Sequence, residues 1–457
     1  MALPSIRPFP YDADLSGACR GELRRFPFLL ESAARSGAQG RCDLLFVRDD
    51  TEALVLQADG SLTGPHAYDA GGDFFTALDA WWRAEHSKAS SARERSGLPF
   101  TGGWFLFLGY ELAGQVEPGL KLPRGGDLPI AFAARTPAAV VRDHGTVSAV
   151  FVSEPGVDPA VYDRLKSLTA ARPYDAGTAV LATALQEEAP ERYLAQVERA
   201  RRYVQDGDIF QANLSRLWSA ELAPGPDAVT LYRRLRHANP APFAGLVLHE
   251  GAAIISSSPE RLVRVAGERV DTRPIAGTRP RSPNPERDAA LIRELIEHPK
   301  ERAEHVMLLD MERNDLGRIA ATGSVRVDEL MVVESYAHVH HIVSNVEARL
   351  KPGTTPGSVI RAVFPGGTIT GCPKVRCMEI IAELEQAPRE AYTGAMGYLD
   401  LNGDMDLNIL IRTLKQKGRR LEFRAGAGIV ADSIPENELQ ETRAKARGLA
   451  RALGADA

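Results

Sequence analysis

Near its C-terminus the chain reads FRAGAGIVADSIPENELQETRAKARGLARAL. The run 421–424 predicts a strand entering Ala425-Gly426-Ala427-Gly428, and a helix is expected from Pro435 onward. On that helix Glu438, Glu441 and Lys445 lie three and four residues apart, hence on one face. Leu439, Thr442, Ala446, Leu449 and Leu453 form the core-facing stripe. Two carboxylates beside a glycine loop with free N–H groups could hold Mg2+ and an anionic substrate together. A solvated face of Glu and Lys has the same spacing, so both readings stand at this point. A second helical stretch, 300–313, sets Glu304 among Ala303, Val306, Met307 and Leu308; taken alone it reads as a surface glutamate, and only a partner carboxylate elsewhere would make it a ligand. The third element is FPGGTITGCPK, 364–374, followed by the helical pattern Val375, Met378, Ile381 and Leu384. Thr370 ahead of Gly371 and Pro373 marks a helix start. Free N–H groups, the Thr368 and Thr370 hydroxyls and Lys374 at such a start would make an anion site. The segment lacks the GK[ST] ending of a nucleotide P-loop.

These elements belong to a chain of 457 residues with 44% hydrophobic residues, enough for a large core, and a net charge of −5. An acidic balance gives no electrostatic footprint for nucleic acid, and the basic run 273–281 is short and broken by prolines. Cys19, Cys42, Cys372 and Cys377 are too few and scattered for a disulfide framework, which points to a reducing compartment. No apolar run approaches the length of a membrane span and the N-terminus has no signal-peptide core. A soluble cytoplasmic protein, bound to neither nucleic acid nor membrane, is expected.

Along the chain, 1–152 shows short alternating apolar runs, such as 42–47 and 138–151, that predict antiparallel strands with a few helices. A connector rich in Pro, Ala, Asp and Glu is expected over 153–190, and a second region over 191–457. There Tyr193, Val197, Ala200 and Val204 fall at helical spacing, with Gly207 as a stop. Residues 209–218 alternate, with Gln211, Asn213 and Ser215 on one face and Phe210, Ala212, Leu214 and Trp218 on the other. Such a strand either lines a cavity or is an edge with one wet face.

From about Glu191 to the C-terminus the chain resembles the chorismate-utilising enzymes. The resemblance is carried, in order, by DIFQANLSR, SSSPERLV, RPIAGTRPR, EHVMLLDMERNDLGR, VHHIVSNV, FPGGTITGCPKVRCMEIIAELE, YTGAMGYL, MDLNILIRT and AGAGIVADS. FPFLLES (26–32) and GGWFLFLGYEL (102–112) extend it over the N-terminal region. It implies a large α/β (α+β) fold with two stacked β-sheets over a central site and helices outside. It also implies magnesium carboxylates at Glu304 and Glu441, with Glu438 reaching the ion directly or through water. Arg412 and Tyr392 match residues that hold the enolpyruvyl carboxylate, where a bidentate guanidinium suits a planar anion. Gly426 and Gly428 would offer backbone N–H groups, and Lys445, Thr368 and Thr370 would line the same pocket. Glu260, in Ser258-Pro259-Glu260, matches the general acid that protonates the departing 4-hydroxyl. His341 matches a histidine near the reacting ring; without the motif, a histidine beside Ile342 and Val343 would read as a core residue.

Two positions bear on the branch. Relatives that add water resemble this chain but carry a lysine base where Gln211 stands, and an amide cannot take a proton from water. In Pro274-Ile275-Ala276-Gly277-Thr278, which lines the substrate site, aminodeoxychorismate synthases commonly have lysine at the position of Ala276, and anthranilate synthases have alanine. TITGCPKVRC, VHHIV, LDLNILIRT and GYELAGQVEP resemble the aminodeoxychorismate branch, which is the expected one, with anthranilate synthase as the alternative. The branch implies ammonia supplied by a separate glutamine amidotransferase. Gly17-Ala18-Cys19-Arg20-Gly21 fits a G-x-C-x-G nucleophile pattern, but no apolar strand precedes it and it reads as chance. Ser32 in LLES and Pro242 in Asn239-Pro240-Ala241-Pro242-Phe243 resemble the family's tryptophan pocket. A non-catalytic protein that binds chorismate or tryptophan is the alternative of another class.

Overall fold

The structure, a computed structural model, describes residues 4–34, 39–49, 53–86, 97–170, 182, 184–336 and 339–454. The alternating runs of the sequence become strands of two antiparallel sheets, one of 12 and one of 11 strands among the described residues. The first runs Ser5–Pro8, Ser148–Ser153, Ala138–Asp143, Cys42–Val47, Phe28–Glu31, Phe243–His249, Ala252–Ser258, Thr413–Lys417, Arg420–Ile429, Gln211–Glu221 and Gln186–Glu187, with Gly371–Cys372 also paired to Gln211–Glu221. The second runs Ile275–Pro280, Val339–Arg349, Arg269–Thr272, Arg261–Ala266, Met405–Ile409, Ala395–Asp400, Gly103–Leu108, Ala131–Thr136, Ala53–Leu56 and Leu62–Thr63, with Arg326–Ser335 also paired to Val339–Arg349. This is the stacked-sheet α/β fold expected from the motifs.

Early and late parts of the chain interleave in both sheets. Phe28–Glu31 pairs with Phe243–His249, and Gly103–Leu108 pairs with Ala395–Asp400. Between the sheets lies a core of Phe28, Phe46, Phe105, Phe107, Phe132, Met396 and Leu410. Phe28 and Phe105, one from each sheet, stack with centroids 4.2 Å apart. The outer faces bury their alternate residues against helices: Ala228–Ala238 and Pro435–Leu453 on the first sheet, Phe74–His86 and Pro356–Val363 on the second. Apolar stripes at helical spacing put them there. The expected connector lies partly outside the described residues; its described part includes the helix Ala160–Leu168. The helix expected after Glu191 spans Pro190–Gln205, with proline in its first turn.

Cys19 sits within the short helix Leu15–Gly21, fully buried, and burial pushes its thiol well above the ordinary range. A buried thiol of that kind is a packing residue and no nucleophile. No helix among the described residues is long and apolar enough to cross a membrane.

Candidate active site

The chain passes from one sheet to the other twice at nearly the same place, and each passage carries a charged side chain. Ala252–Ser258 belongs to the first sheet and Arg261–Ala266 to the second, so Glu260 lies in the two-residue crossing between them. Met405–Ile409 belongs to the second sheet and Thr413–Lys417 to the first, which places Arg412 in the return crossing. The crossings are tied together: Ile409 N donates to Glu260 O at 3.0 Å, and Ser257 N donates to Arg412 O at 3.2 Å. Arg412 has φ 52°, a left-handed conformation that non-glycine residues adopt at a cost and that aims its side chain.

Glu260 is 5% exposed, and burial pushes its carboxyl up to about 7 against the pull of the Thr368 hydroxyl, the Ile275 amide, Lys445 and Arg412. Burial lowers the Arg412 pKa while Glu260 raises it, and among the described residues its guanidinium has no hydrogen-bond or ion-pair partner. A protonated acid beside a cation with no fixed carboxylate is suited to an anionic substrate that must lose a hydroxyl. His341, on the strand Val339–Arg349, is buried, and its Nδ1 is 2.9 Å from Thr278 Oγ1. Burial first, and the Arg412 cation next, bring it down to about 3, so this imidazole is neutral at any working pH. Thr278 is aimed at it by a bulge: the register of Ile275–Pro280 against Val339–Arg349 shifts between Ala276 and Thr278. Gly277 lies in that bulge at φ 66°, and a Cβ there would stand 2.8 Å from Glu301 Oε2. Ala276 is buried beside it, opposite Ile342.

The other wall comes from Gln211–Glu221, Arg420–Ile429 and two helices. Gly426 pairs with Ser215 and Gly428 with Asn213, while Thr413–Lys417 pairs with the glycine strand only as far as Phe423. Residues 424–429 therefore have no strand on their second edge among the described residues. A Cβ at Gly426 would stand 2.7 Å from the Tyr392 hydroxyl and 2.8 Å from Asn213 Oδ1, and one at Gly428 would collide with Gln211 Nε2. Both glycines thus leave room for side chains expected at the site. Gln211, Asn213 and Ser215 are all buried, which favours the cavity-lining reading of that strand over a wet edge. Gln211 Nε2 donates to Glu304 Oε1 at 3.2 Å.

Glu304, on the helix Pro299–Gly317, is raised by burial first, then by the negative charges of Glu301 and Glu441, with Gln211 and Lys445 opposing. Lys445 Nζ is 2.8 Å from Glu441 Oε1 and donates to Gly426 O at 2.9 Å. Glu438 stands one turn before Glu441 on Pro435–Leu453, and both act electrostatically on Tyr193. The expected metal carboxylates therefore come from two helices, in mutual repulsion offset by one ammonium. This oxygen-only set suits a hard divalent cation, although among the described residues no three such groups close on one point. Glu301 was missed in the sequence, though its position three residues before Glu304 on one helix face is a signal that could have found it.

Two expectations need correction or refinement. Lys374 does not open an anion site: its ammonium is held by the buried Asp315 and by Val363 O, so its charge is already matched. Thr370 donates its hydroxyl to Gly366 O at 2.9 Å and stays within the turn, whereas Thr368 reaches Glu260. Away from this site, Ser32 and Pro242 line a cavity of about 760 Å3 between the sheets, with Phe243, Met396 and Tyr398. Ser32 Oγ donates to Pro242 O at 3.3 Å.

An anthranilate synthase component I-like protein of Synechocystis sp. is 42% identical over 391 residues, 83% of this chain and 79% of that one. The aminodeoxychorismate synthase component 1 of Bacillus subtilis is 50% identical over 257 residues, 56% of this chain and 54% of that one. The crystal structure of anthranilate synthase component I from Streptococcus pneumoniae superposes with a TM-score of 0.77 at 34% identity, covering 90% of this chain and 92% of that one. The menaquinone-specific isochorismate synthase of Escherichia coli shares the fold, with a TM-score of 0.74 at 19% identity over 99% of this chain and 94% of that one. Residues 54–451 match the family described as chorismate binding enzyme, and the chain belongs to that family.

Proposed function

We propose that this enzyme is component I of an aminodeoxychorismate synthase, replacing the 4-hydroxyl of chorismate with ammonia to give 4-amino-4-deoxychorismate and water. The observation that carries the reading is Glu260, a buried carboxyl that keeps its proton to about pH 7 beside Arg412 and within reach of Lys445. Glu260 protonates the departing hydroxyl, so that the C4–O bond breaks with water as the leaving group. The planar guanidinium of Arg412 grips a substrate carboxylate, and the Tyr392 hydroxyl borders the same space. Neutral His341, held by Thr278, faces the ring without adding charge. Gln211 offers no base to activate water, whereas ammonia is already a nucleophile. Glu304 and Glu441, with Glu438, would hold Mg2+, which when bound neutralises a substrate carboxylate among these glutamates.

The choice of branch is supported by 50% identity over 257 residues to the Bacillus subtilis aminodeoxychorismate synthase, against 47% over 257 residues to an Aquifex aeolicus anthranilate synthase component 1. A second reading, anthranilate synthase, is favoured by Ala276, the residue of that branch. Relatives bearing the name component I or 1 imply a second component, and we infer that a separate glutaminase delivers ammonia, for which free ammonium substitutes. The cavity at Ser32 and Pro242 is the proposed tryptophan pocket, checked by calorimetric titration with L-tryptophan.

The experiment supplies chorismate, ammonium and Mg2+, then a separate aminodeoxychorismate lyase. 4-Aminobenzoate appearing only after the lyase is added, and only with Mg2+, is the expected result. Fluorescent anthranilate formed without the lyase establishes the second reading instead.

A further inference from the structure

Glu385 and Arg389 stand four residues apart, the spacing of an exposed helix pair. They do not form one, because the helix Lys374–Glu385 ends at Glu385 and Gln386 turns the chain at φ 53°. Both side chains face inward, that of Glu385 2% exposed and that of Arg389 1%. Arg389 Nη2 donates to Glu385 Oε1 at 2.6 Å, and Nε donates to Oε2 at 2.9 Å. The guanidinium has three further acceptors, each on a different segment. Nη2 donates to Asn213 O at 2.7 Å, and Nη1 donates to Ile369 O and to Thr393 Oγ1, both at 3.3 Å. All five N–H groups of the fork are thereby used. All three segments belong to the site: Asn213 shares a strand with Gln211, Ile369 follows Thr368, and Thr393 follows Tyr392.

The hold on Tyr392 is the most direct. Its N–H donates to Arg389 O at 3.0 Å, and its carbonyl accepts from Thr393 Oγ1 at 2.6 Å. Its ring centroid lies 5.5 Å from the guanidinium carbon. Thr393 is left-handed at φ 62°, and its N–H donates to Leu410 O at 2.8 Å. At the far end of Tyr392 is the hydroxyl beside Gly426, where a Cβ would stand 2.7 Å from it. Glu385 anchors the fork from behind, since Ser215 N and Oγ donate to its Oε1 at 2.8 and 2.9 Å. Burial works against the Glu385 charge, but Arg389 and Arg424 outweigh it and hold the carboxyl below its ordinary range. A buried ion pair is a weak source of net stability, because desolvation opposes it. Five donors aimed at three walls of one pocket instead fix the distances between those walls.

We propose that Arg389 is a positioning residue for substrate binding, setting where the Tyr392 hydroxyl meets the substrate carboxylate, with Glu385 as its anchor. The proposal rests on the reading that Tyr392 borders the carboxylate held by Arg412. Arg389 acts through the tyrosine and not on the substrate, since its own donors are all taken. Lysine keeps the charge but carries three donors in place of a planar fork. It cannot hold Glu385, Asn213, Ile369 and Thr393 together, and Tyr392 is released.

Arg389→Lys should raise KM for chorismate by about 10-fold or more, with kcat within about three-fold of wild type. Tyr392→Phe should raise the same KM by a similar factor. The double variant should fall well short of the product of the two, because both changes remove one contact. A merely structural pair behaves differently: the folded fraction and kcat fall while KM stays. Thr393→Val cuts the tie to the tyrosine segment and leaves the Glu385–Arg389 pair. It should raise KM about three-fold, even where Arg389→Lys fails to fold. An unchanged KM in folded Arg389→Lys or in Thr393→Val overturns the proposal, as does a double variant whose KM rises by the full product. Tyr392→Phe also separates this from the parent reading. If it leaves KM unchanged, Tyr392 holds no carboxylate and both fall. If it raises KM while Arg389→Lys and Thr393→Val behave as wild type, only the positioning role fails.

Discussion

Glu260 and His341 titrate in opposite senses because burial disfavours whichever form is charged. For Glu260 the ordinary carboxyl value of 4.5 rises to about 7, and the working form is the protonated one. Turnover is therefore full below that value and falls as pH rises through about 7. Between 4.5 and about 7 the folded protein keeps a proton that the unfolded chain has lost, so this residue makes stability decline as pH rises across that window. His341, brought from 6.5 to about 3, binds its proton only in the unfolded chain over that interval, so its contribution rises with pH there. Glu260→Gln should cut kcat by about 10²-fold or more with KM little changed, and the variant should melt above the wild type at pH 8, where its neutral amide replaces a buried carboxylate. Pairing kcat–pH and melting–pH curves checks both. A variant with normal turnover, or one that melts lower at pH 8, contradicts the assignment of a buried acid.

At the scale of elements, two neighbouring glycines on one strand make different demands. Across from Gly426 the nearest obstruction to a Cβ is the Leu214 backbone carbonyl at 2.5 Å, part of the strand pair itself. Across from Gly428 it is the end of the Gln211 side chain, which can move. Gly426→Ala should therefore lose about 1–3 kcal/mol of stability through overpacking. Gly428→Ala should fold normally and lose activity, because Gln211 is driven from Glu304. Denaturant melts beside steady-state rates separate the two, and a stable, active Gly426→Ala would show that the strand pair yields. The strand and the terminal helix were legible in sequence because alternation and helical spacing are local signals. Pro299–Gly317 was legible as a helix but not in its orientation: Glu304, His305, Glu312 and Asp315 interrupt any apolar face, so periodicity pointed at Glu304 alone. Lys374 was misread for a related reason, since its partner Asp315 is 59 residues away and spacing along the chain carries no trace of it.

The whole molecule shows the limit of local signals most clearly. Composition suggested an N-terminal region, a connector and a catalytic region, and the strands of each were readable, but the partner of each strand was not. Pairing between distant segments is set by sheet packing and not by any local period. In the structure, 1–152 and 191–457 share both sheets through Phe28–Glu31 against Phe243–His249 and Gly103–Leu108 against Ala395–Asp400. Removing the first region would strip hydrogen bonds from two central strands at once and expose Met396 and Leu410, which are buried with Phe28, Phe105 and Phe132. Long, flat, apolar edges of this kind pair with other chains. Met405–Ile409, which leads into the Arg412 crossing, pairs with Ala395–Asp400. Loss of the neighbouring Gly103–Leu108 strand therefore loosens the ladder that aims Arg412. A 191–457 fragment should aggregate on size-exclusion chromatography and turn over no chorismate, and co-expression with 1–170 should recover soluble, active complex. A monomeric and active 191–457 fragment would mean that the later region carries a core of its own and that the shared sheets are dispensable.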